Sequence, residues 1–235
     1  MSNLKALILA AGRGERMRPL TDATPKPLLL VRGKPLIEWH LEALANAGVT
    51  EVVINTAWLE DQFPAALGDG SRFGLRLHYS FEGRDHGGAL ETAGGIAKAL
   101  PRLASGPREA FWVVSGDVFL PGFPFDAATA QRFGAGPLNA HLWLTHNAPH
   151  HPQGDFGIDA QGLAVAQAPQ RHTWASVGLF RAGMFADVAV GTRLALRPLL
   201  EAQIAQQGIS AELWPGAWTD VGTIQRLQAL NAPPA

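Results

Sequence analysis

Hydrophobic positions along this chain alternate between two kinds of pattern. Runs such as Ala6-Leu7-Ile8-Leu9-Ala10 and Phe111-Trp112-Val113-Val114 are short and continuously apolar. That is the signature of strands covered on both faces, as in a parallel sheet. Between them lie stretches with helical spacing. Over 35–47, Leu36, Ile37, Leu41 and Leu44 share one face with polar residues between, and Gly48 supplies the stop. The same reading predicts strands over 51–55, 75–80 (after the turn-rich GDGSRFG), 141–145 and 174–180. It predicts helices over 92–100, 196–207 and 224–230, followed by a frayed tail from Asn231 to Ala235. Strand and helix in alternation imply an α/β protein with a mainly parallel sheet joined by right-handed crossovers.

Composition narrows the function classes. A chain of 235 residues can bury one large core. A net charge of -1, with 47% hydrophobic and 17% charged residues, argues against disorder and provides no basic field for nucleic acid. The absence of cysteine excludes a disulfide scaffold and cysteine-ligated zinc. His141, His146, His150 and His151 lack the spacing of a structural zinc site. No apolar run is long enough to span a bilayer and no leader pattern precedes the first strand, so a cytoplasmic protein is expected. The residues carry no signal for oligomeric state.

Candidate chemistry begins where the first strand ends. In an open α/β sheet, ligands bind at the carboxyl ends of the strands. Here that end empties into a loop with Gly12 and Gly14, which let backbone N–H groups approach an anion, and with Arg13, Arg16, Arg18 and Lys26. Pro25 and Pro27 stiffen the segment that presents Lys26. A polyphosphate suits this loop. The dinucleotide fingerprint fails, because Met17 stands where its third glycine belongs, and no Walker A lysine follows. A dehydrogenase is therefore the weakest reading.

The order Leu9-Ala10-Ala11-Gly12-x-Gly14-x-Arg16-Met17-Arg18-Pro19-Leu20-Thr21, followed by Pro25-Lys26-Pro27, resembles the N-terminal signature of the sugar-phosphate nucleotidyltransferases. Ser115-Gly116-Asp117-Val118 and Trp218-Thr219-Asp220-Val221-Gly222-Thr223 are similar to two further motifs of that family. Either aspartate alone reads equally as a helix cap or a turn residue. The resemblance covers nearly the whole chain. It implies a Rossmann-like three-layer α/β/α sandwich with a mixed, mainly parallel sheet, the nucleotide-diphospho-sugar transferase fold. One catalytic domain would span 1–235, with a nucleotide-binding half over about 1–118 and a sugar-binding half over about 119–235.

By the same resemblance, Lys26 bridges the α-phosphate and the sugar phosphate, Arg16 holds the outer phosphates, and Asp117 and Asp220 hold Mg²⁺. Ala11, Gly12, Gly14, Glu15, Glu82 and Ser115 complete the expected nucleotide site; Glu91, Gly154, Asp155 and Arg171 form the expected sugar site. Within the family the narrower likeness is to the uridylyltransferases of N-acetylmuramate 1-phosphate, which implies UTP and peptidoglycan recycling. It rests on segments such as Val53-Ile54-Asn55-Thr56-Ala57-Trp58-Leu59 and His150-His151-Pro152-Gln153-Gly154-Asp155-Phe156. Mannose-1-phosphate guanylyltransferases, which use GTP, share most of these features. A nucleotide-sugar sensor without catalysis would have less need of the complete charge set.

Departures are equally specific. Between Glu82 and Glu91 the chain reads GRDHGGAL, longer than the family's E-G-x-P-L-E-T. No lysine follows Lys98, leaving Arg171 as substitute for a second family lysine. Ser115 stands where an asparagine is common, and a hydroxyl cannot donate and accept as an amide does.

Overall fold

The computed structural model describes residues 4–233. The first apolar run becomes β1 (Lys5–Leu9), near the middle of a seven-stranded sheet. The other strands are β2 (Glu51–Thr56), β3 (Arg76–Phe81), β4 (Ala110–Ser115), β5 (Ala140–Thr145), β6 (Thr173–Arg181) and β7 (Ile209–Leu213). Their order is β7-β5-β6-β4-β1-β2-β3. Only β6 runs against the rest, pairing antiparallel with β4 and β5 while every other neighbour is parallel. The sheet is thus mainly parallel, as the alternation of patterns predicts, and mixed, as the family resemblance implies.

The continuous apolar character of β1 and β4 has its cause in helices on both faces. Ala6, Ile8, Trp112 and Val114 pack in one core with Leu41 and Leu44 of α1 (Leu36–Asn46). Leu7, Phe111 and Val113 point into the other, with Ile96 of α2 (Glu91–Leu103) and Leu200 of α4 (Arg197–Ala205). A third, smaller cluster of Met17, Val31, Leu36, Phe119, Val221 and Leu227 ties the first loop to α5 (Ile224–Asn231).

Elements that sequence patterning passes over have weak patterns. The helix α3 (Ala127–Ala135) buries only Ala130 and Phe133, its start set by Asp126 accepting from Ala128 N and Thr129 N. The strand β7 is an edge strand with Ile209 and Ala211 buried and Glu212 and Leu213 exposed. The helix α2 extends beyond the predicted 92–100 and through Pro101, its last turn anchored by buried Leu103. Asn231 is no part of a tail: it closes α5, its Oδ1 accepting from Arg32 N and its Nδ2 donating to Leu30 O. Pro234 and Ala235, the end of the predicted tail, lie outside the described residues. Among the described residues no helix is long and apolar enough to cross a membrane.

Candidate active site

A cavity of about 600 Å³ opens at the carboxyl ends of β1 and β4, lined by the first loop, Ser115 and Asp117. Its shape begins with two glycines that do different work. Gly14 has φ 68°, and a Cβ there would lie 2.9 Å from Thr21 Cγ2; Thr21 Oγ1 donates to its carbonyl at 2.9 Å. The fold itself therefore demands Gly14. Gly12 meets no such demand, since a Cβ there would have nothing within 4 Å, and the cleared space belongs to the cavity.

The structure sorts the four cations of the loop. Lys26 reaches across to Asp117 Oδ2 at 2.6 Å, with the lysine side chain 11% exposed. Arg16 lines the cavity beside Gly222, whose missing Cβ would lie 3.1 Å from the Arg16 guanidinium. Arg13 also lines the cavity but lays its guanidinium over the Trp58 ring, 4.4 Å from the centroid. Arg18 pairs with Asp22 at 2.7 Å on the open surface. Three of the four, Arg13, Arg16 and Lys26, thus line the cavity, and Arg18 lies outside its lining.

The two aspartates come together through a ribbon too short to be read in sequence. Val118–Phe119 pairs antiparallel with Thr219–Asp220, setting Asp220 opposite Val118, and Val221 N donates to Asp117 O at 2.8 Å. Beneath it, buried His40 donates from Nε2 to Val118 O at 2.9 Å. Burial lowers the His40 pKa to about 4, so the ring is neutral. Asp220 Oδ2 is gripped by Arg226. Asp220 Oδ1 is buried without a hydrogen-bond partner, although His150 Nε2 stands 3.0 Å away. Gly222 leaves room for this group, because a Cβ there would lie 2.9 Å from Asp220 Oδ2.

The opposite wall corrects one expectation. Glu82 does not face the cavity: it is wholly buried, with Oε1 accepting from Asn55 Nδ2 and Oε2 from Leu90 N, both at 2.7 Å. Desolvation raises its pKa, opposed by those two hydrogen bonds. The Asn55 Oδ1 in turn accepts from Ala10 N at 2.8 Å, so Glu82 braces the floor beneath β1 instead of touching a ligand. The long GRDHGGAL segment is folded, with a helical turn over Glu82–His86 and Arg84 paired to Asp61 at 2.6 Å. It delivers Ala89, Glu91 and Thr92 to the cavity rim.

Ala11, Gly12, Gly14, Glu15, Arg16, Lys26, Glu91, Ser115 and Asp117 all line this one cavity. Gly154, Asp155 and Arg171 do not. Gly154 has φ 61° and stands where a Cβ would meet Asn147 Oδ1 at 2.7 Å and the backbone of Arg171 at 2.8 Å. Asp155 accepts from Trp174 N at 2.9 Å and pairs with Arg197 and His151, each at 3.3 Å. Arg171 takes part through its carbonyl, which accepts from Asn147 Nδ2 at 2.9 Å. Three residues were missed by sequence reasoning: Asn55, Arg193 and Arg226. Asn55 had a signal, a polar residue closing an apolar parallel strand; the two arginines had none.

Arg16, Lys26 and Asp117 line one cavity, and Asp220 stands on the ribbon beside Asp117 without itself lining it. The nucleotidyl transferase family model matches residues 5–233. N-acetylmuramate alpha-1-phosphate uridylyltransferase of Neisseria meningitidis serogroup B is 49% identical over 233 residues, 97% of each chain. Glucose-1-phosphate thymidylyltransferase of Streptomyces antibioticus is 30% identical over 240 residues, 97% of this chain and 65% of that protein. A crystal structure from Bacillus anthracis, assigned as a glucose-1-phosphate thymidylyltransferase, superposes with a TM-score of 0.82 over 97% of this chain and 94% of that one; at 20% identity it bears on the fold alone. With the match unbroken from the first strand to the last helix, this chain belongs to the nucleotidyl transferase family.

Proposed function

We propose that the chain transfers a uridylyl group from UTP to N-acetylmuramate α-1-phosphate in the cytoplasm, forming UDP-N-acetylmuramate and pyrophosphate. The near-full-length 49% identity to a uridylyltransferase of that substrate carries this reading. In the reaction a phosphate oxygen of the sugar ester forms a bond to the α-phosphorus of UTP, the bond from that phosphorus to the β-phosphate oxygen breaks, and pyrophosphate leaves with the electron pair. The attacking oxygen is already anionic, so no general base is needed. The task is to hold two polyanions in line and to stabilise charge on the moving phosphoryl group.

The residues divide that task. Lys26, on its stiff Pro25–Pro27 segment and deep in the cavity, contacts the transferred phosphoryl group and the sugar phosphate. Arg16 holds the β- and γ-phosphates, approaching past Gly222. The open space over Gly12 admits the phosphate chain close to the backbone. Glu82 and Asn55 fix the floor on which this happens.

Asp117 and Asp220 fit a divalent cation: they are hard oxygen donors joined by one ribbon, and Asp220 Oδ1 is buried and unsatisfied. Mg²⁺ held by them would neutralise phosphate charge and orient the triphosphate.

The test is pyrophosphate release with UTP, GTP, dTTP and CTP against N-acetylmuramate, mannose and glucose 1-phosphates, with Mg²⁺ or EDTA. Turnover is expected with UTP and the muramate ester, and is expected to vanish with EDTA or in Asp117→Ala. Preference for GTP with mannose 1-phosphate would sink the uridylyl reading.

A further inference from the structure

The cavity has a second cationic end that the proposed phosphate chemistry leaves unused. Arg193 lines it from a rigid strap. Leu194 O accepts from Ala93 N at 2.9 Å and Gly94 N at 3.1 Å, and Leu194 N donates to Leu90 O at 2.9 Å. The strap lies so close on α2 that a Cβ at Gly94 would be 2.1 Å from Thr192 O.

The Arg193 side chain, by contrast, is available. It is 74% exposed and pairs with Glu91 Oε1 at 3.2 Å, with Glu91 itself 47% exposed. Such solvent-exposed pairs contribute little and exchange readily. Glu91 is also held at φ 63°, a left-handed conformation that costs a non-glycine residue and that gathers at ligand sites. Of the other cations lining the cavity, Lys26 pairs with Asp117 and Arg13 lies on Trp58, while Arg16 is the residue assigned above to the outer phosphates.

N-acetylmuramate differs from N-acetylglucosamine by a lactyl ether, which adds a carboxylate. A site that selects it needs a cation not already committed to phosphate. We infer that Arg193 recognises the lactyl carboxylate of the sugar substrate, exchanging Glu91 for the ligand's carboxylate. This rests on the muramate reading above. The planar guanidinium fork matches a carboxylate with two parallel hydrogen bonds, which a point charge does not. For a sugar without the lactyl group, the Arg193–Glu91 pair stays closed and nothing is gained.

The test compares N-acetylmuramate 1-phosphate with N-acetylglucosamine 1-phosphate in wild type, Arg193→Gln and Arg193→Lys. In Arg193→Gln the ratio of kcat/KM for the muramate ester over the glucosamine ester is expected to fall roughly 10- to 100-fold, the range of a charge-assisted pair, mostly through KM of the sugar phosphate. The KM for UTP is expected to hold, and Arg193→Lys to restore part of the ratio. Calorimetric titration with UDP-N-acetylmuramate and UDP-N-acetylglucosamine gives a second readout, in which only the muramate product should bind more weakly. A variant with unchanged selectivity, or with equal losses on both sugars or on UTP, overturns the inference while the muramate reading stands. A wild type with no preference for the muramate ester overturns both.

Discussion

Lys26 and Asp117 neutralise one another at 2.6 Å, yet the proposed chemistry asks each to serve a different partner, one the phosphates and the other a cation. The loss of Lys26 therefore removes a transition-state contact while leaving Asp117, 37% exposed, in contact with water. In Lys26→Gln, kcat is expected to fall ~100- to 1,000-fold, the usual loss for one preorganised electrostatic donor, with little change in thermal stability. Arg18→Gln is the contrast, because Arg18 pairs with Asp22 outside the cavity; steady-state kinetics within about twofold of wild type are expected, as for most surface changes. From sequence the four loop cations were equivalent, and only their partners separate them. Glu82 was likewise legible as a special carboxylate but not as a buried one. A ligand contact and a floor brace both require that residue type, and burial by Asn55, Leu90 and Gly95 is a tertiary fact.

At the scale of elements, α2 carries two glycines near its start where helix propensity favours alanine by about 1 kcal/mol. Gly95 lies against the brace, a Cβ there meeting Asn55 Nδ2 and Glu82 Oε1 at 2.6 Å each. Gly95→Ala is therefore expected to lose roughly 1–3 kcal/mol through overpacking of a buried polar pair. Gly134→Ala in α3, where a Cβ meets nothing within 4 Å, should instead gain up to about 1 kcal/mol. Urea unfolding of both variants reads the sign directly, and two changes of like sign would refute the close-approach account. The strands legible in sequence are those buried on both faces, such as β1, β2 and β4. The edge strand β7 and the alanine-rich α3 escape because half or more of their surface stays wet, which dilutes the pattern. The ribbon joining Asp117 to Asp220 has two residues a side, too few for any periodicity, so the motifs pointed to both aspartates but not to their meeting.

For the whole molecule, the buried ionisable groups set how stability follows pH, and His40 leads. Its pKa is lowered from 6.5 to about 4, chiefly by desolvation, so the unfolded chain binds a proton that the folded chain refuses between those values. Stability from this group is complete above pH 6.5 and is lost progressively as pH falls through the window. At 1.36 kcal/mol per unit the loss reaches about 2 kcal/mol by pH 5. Burial lowers His141 and His172 in the same direction. Glu82 works the other way: its raised pKa means the folded state takes up a proton first, so acidification relieves part of its burial cost above the ordinary carboxylate range. His40→Gln can keep the hydrogen bond to Val118 O through its side-chain amide without a titrating ring. Thermal melts at pH 7 and pH 5 should show a drop for wild type that exceeds the variant's by about 4–8 °C, from the ~2 kcal/mol of one histidine in a domain of this size. Parallel drops would mean that His40 is solvated in the folded state, and the support beneath Val118 and its neighbour Asp117 would then have to come from elsewhere.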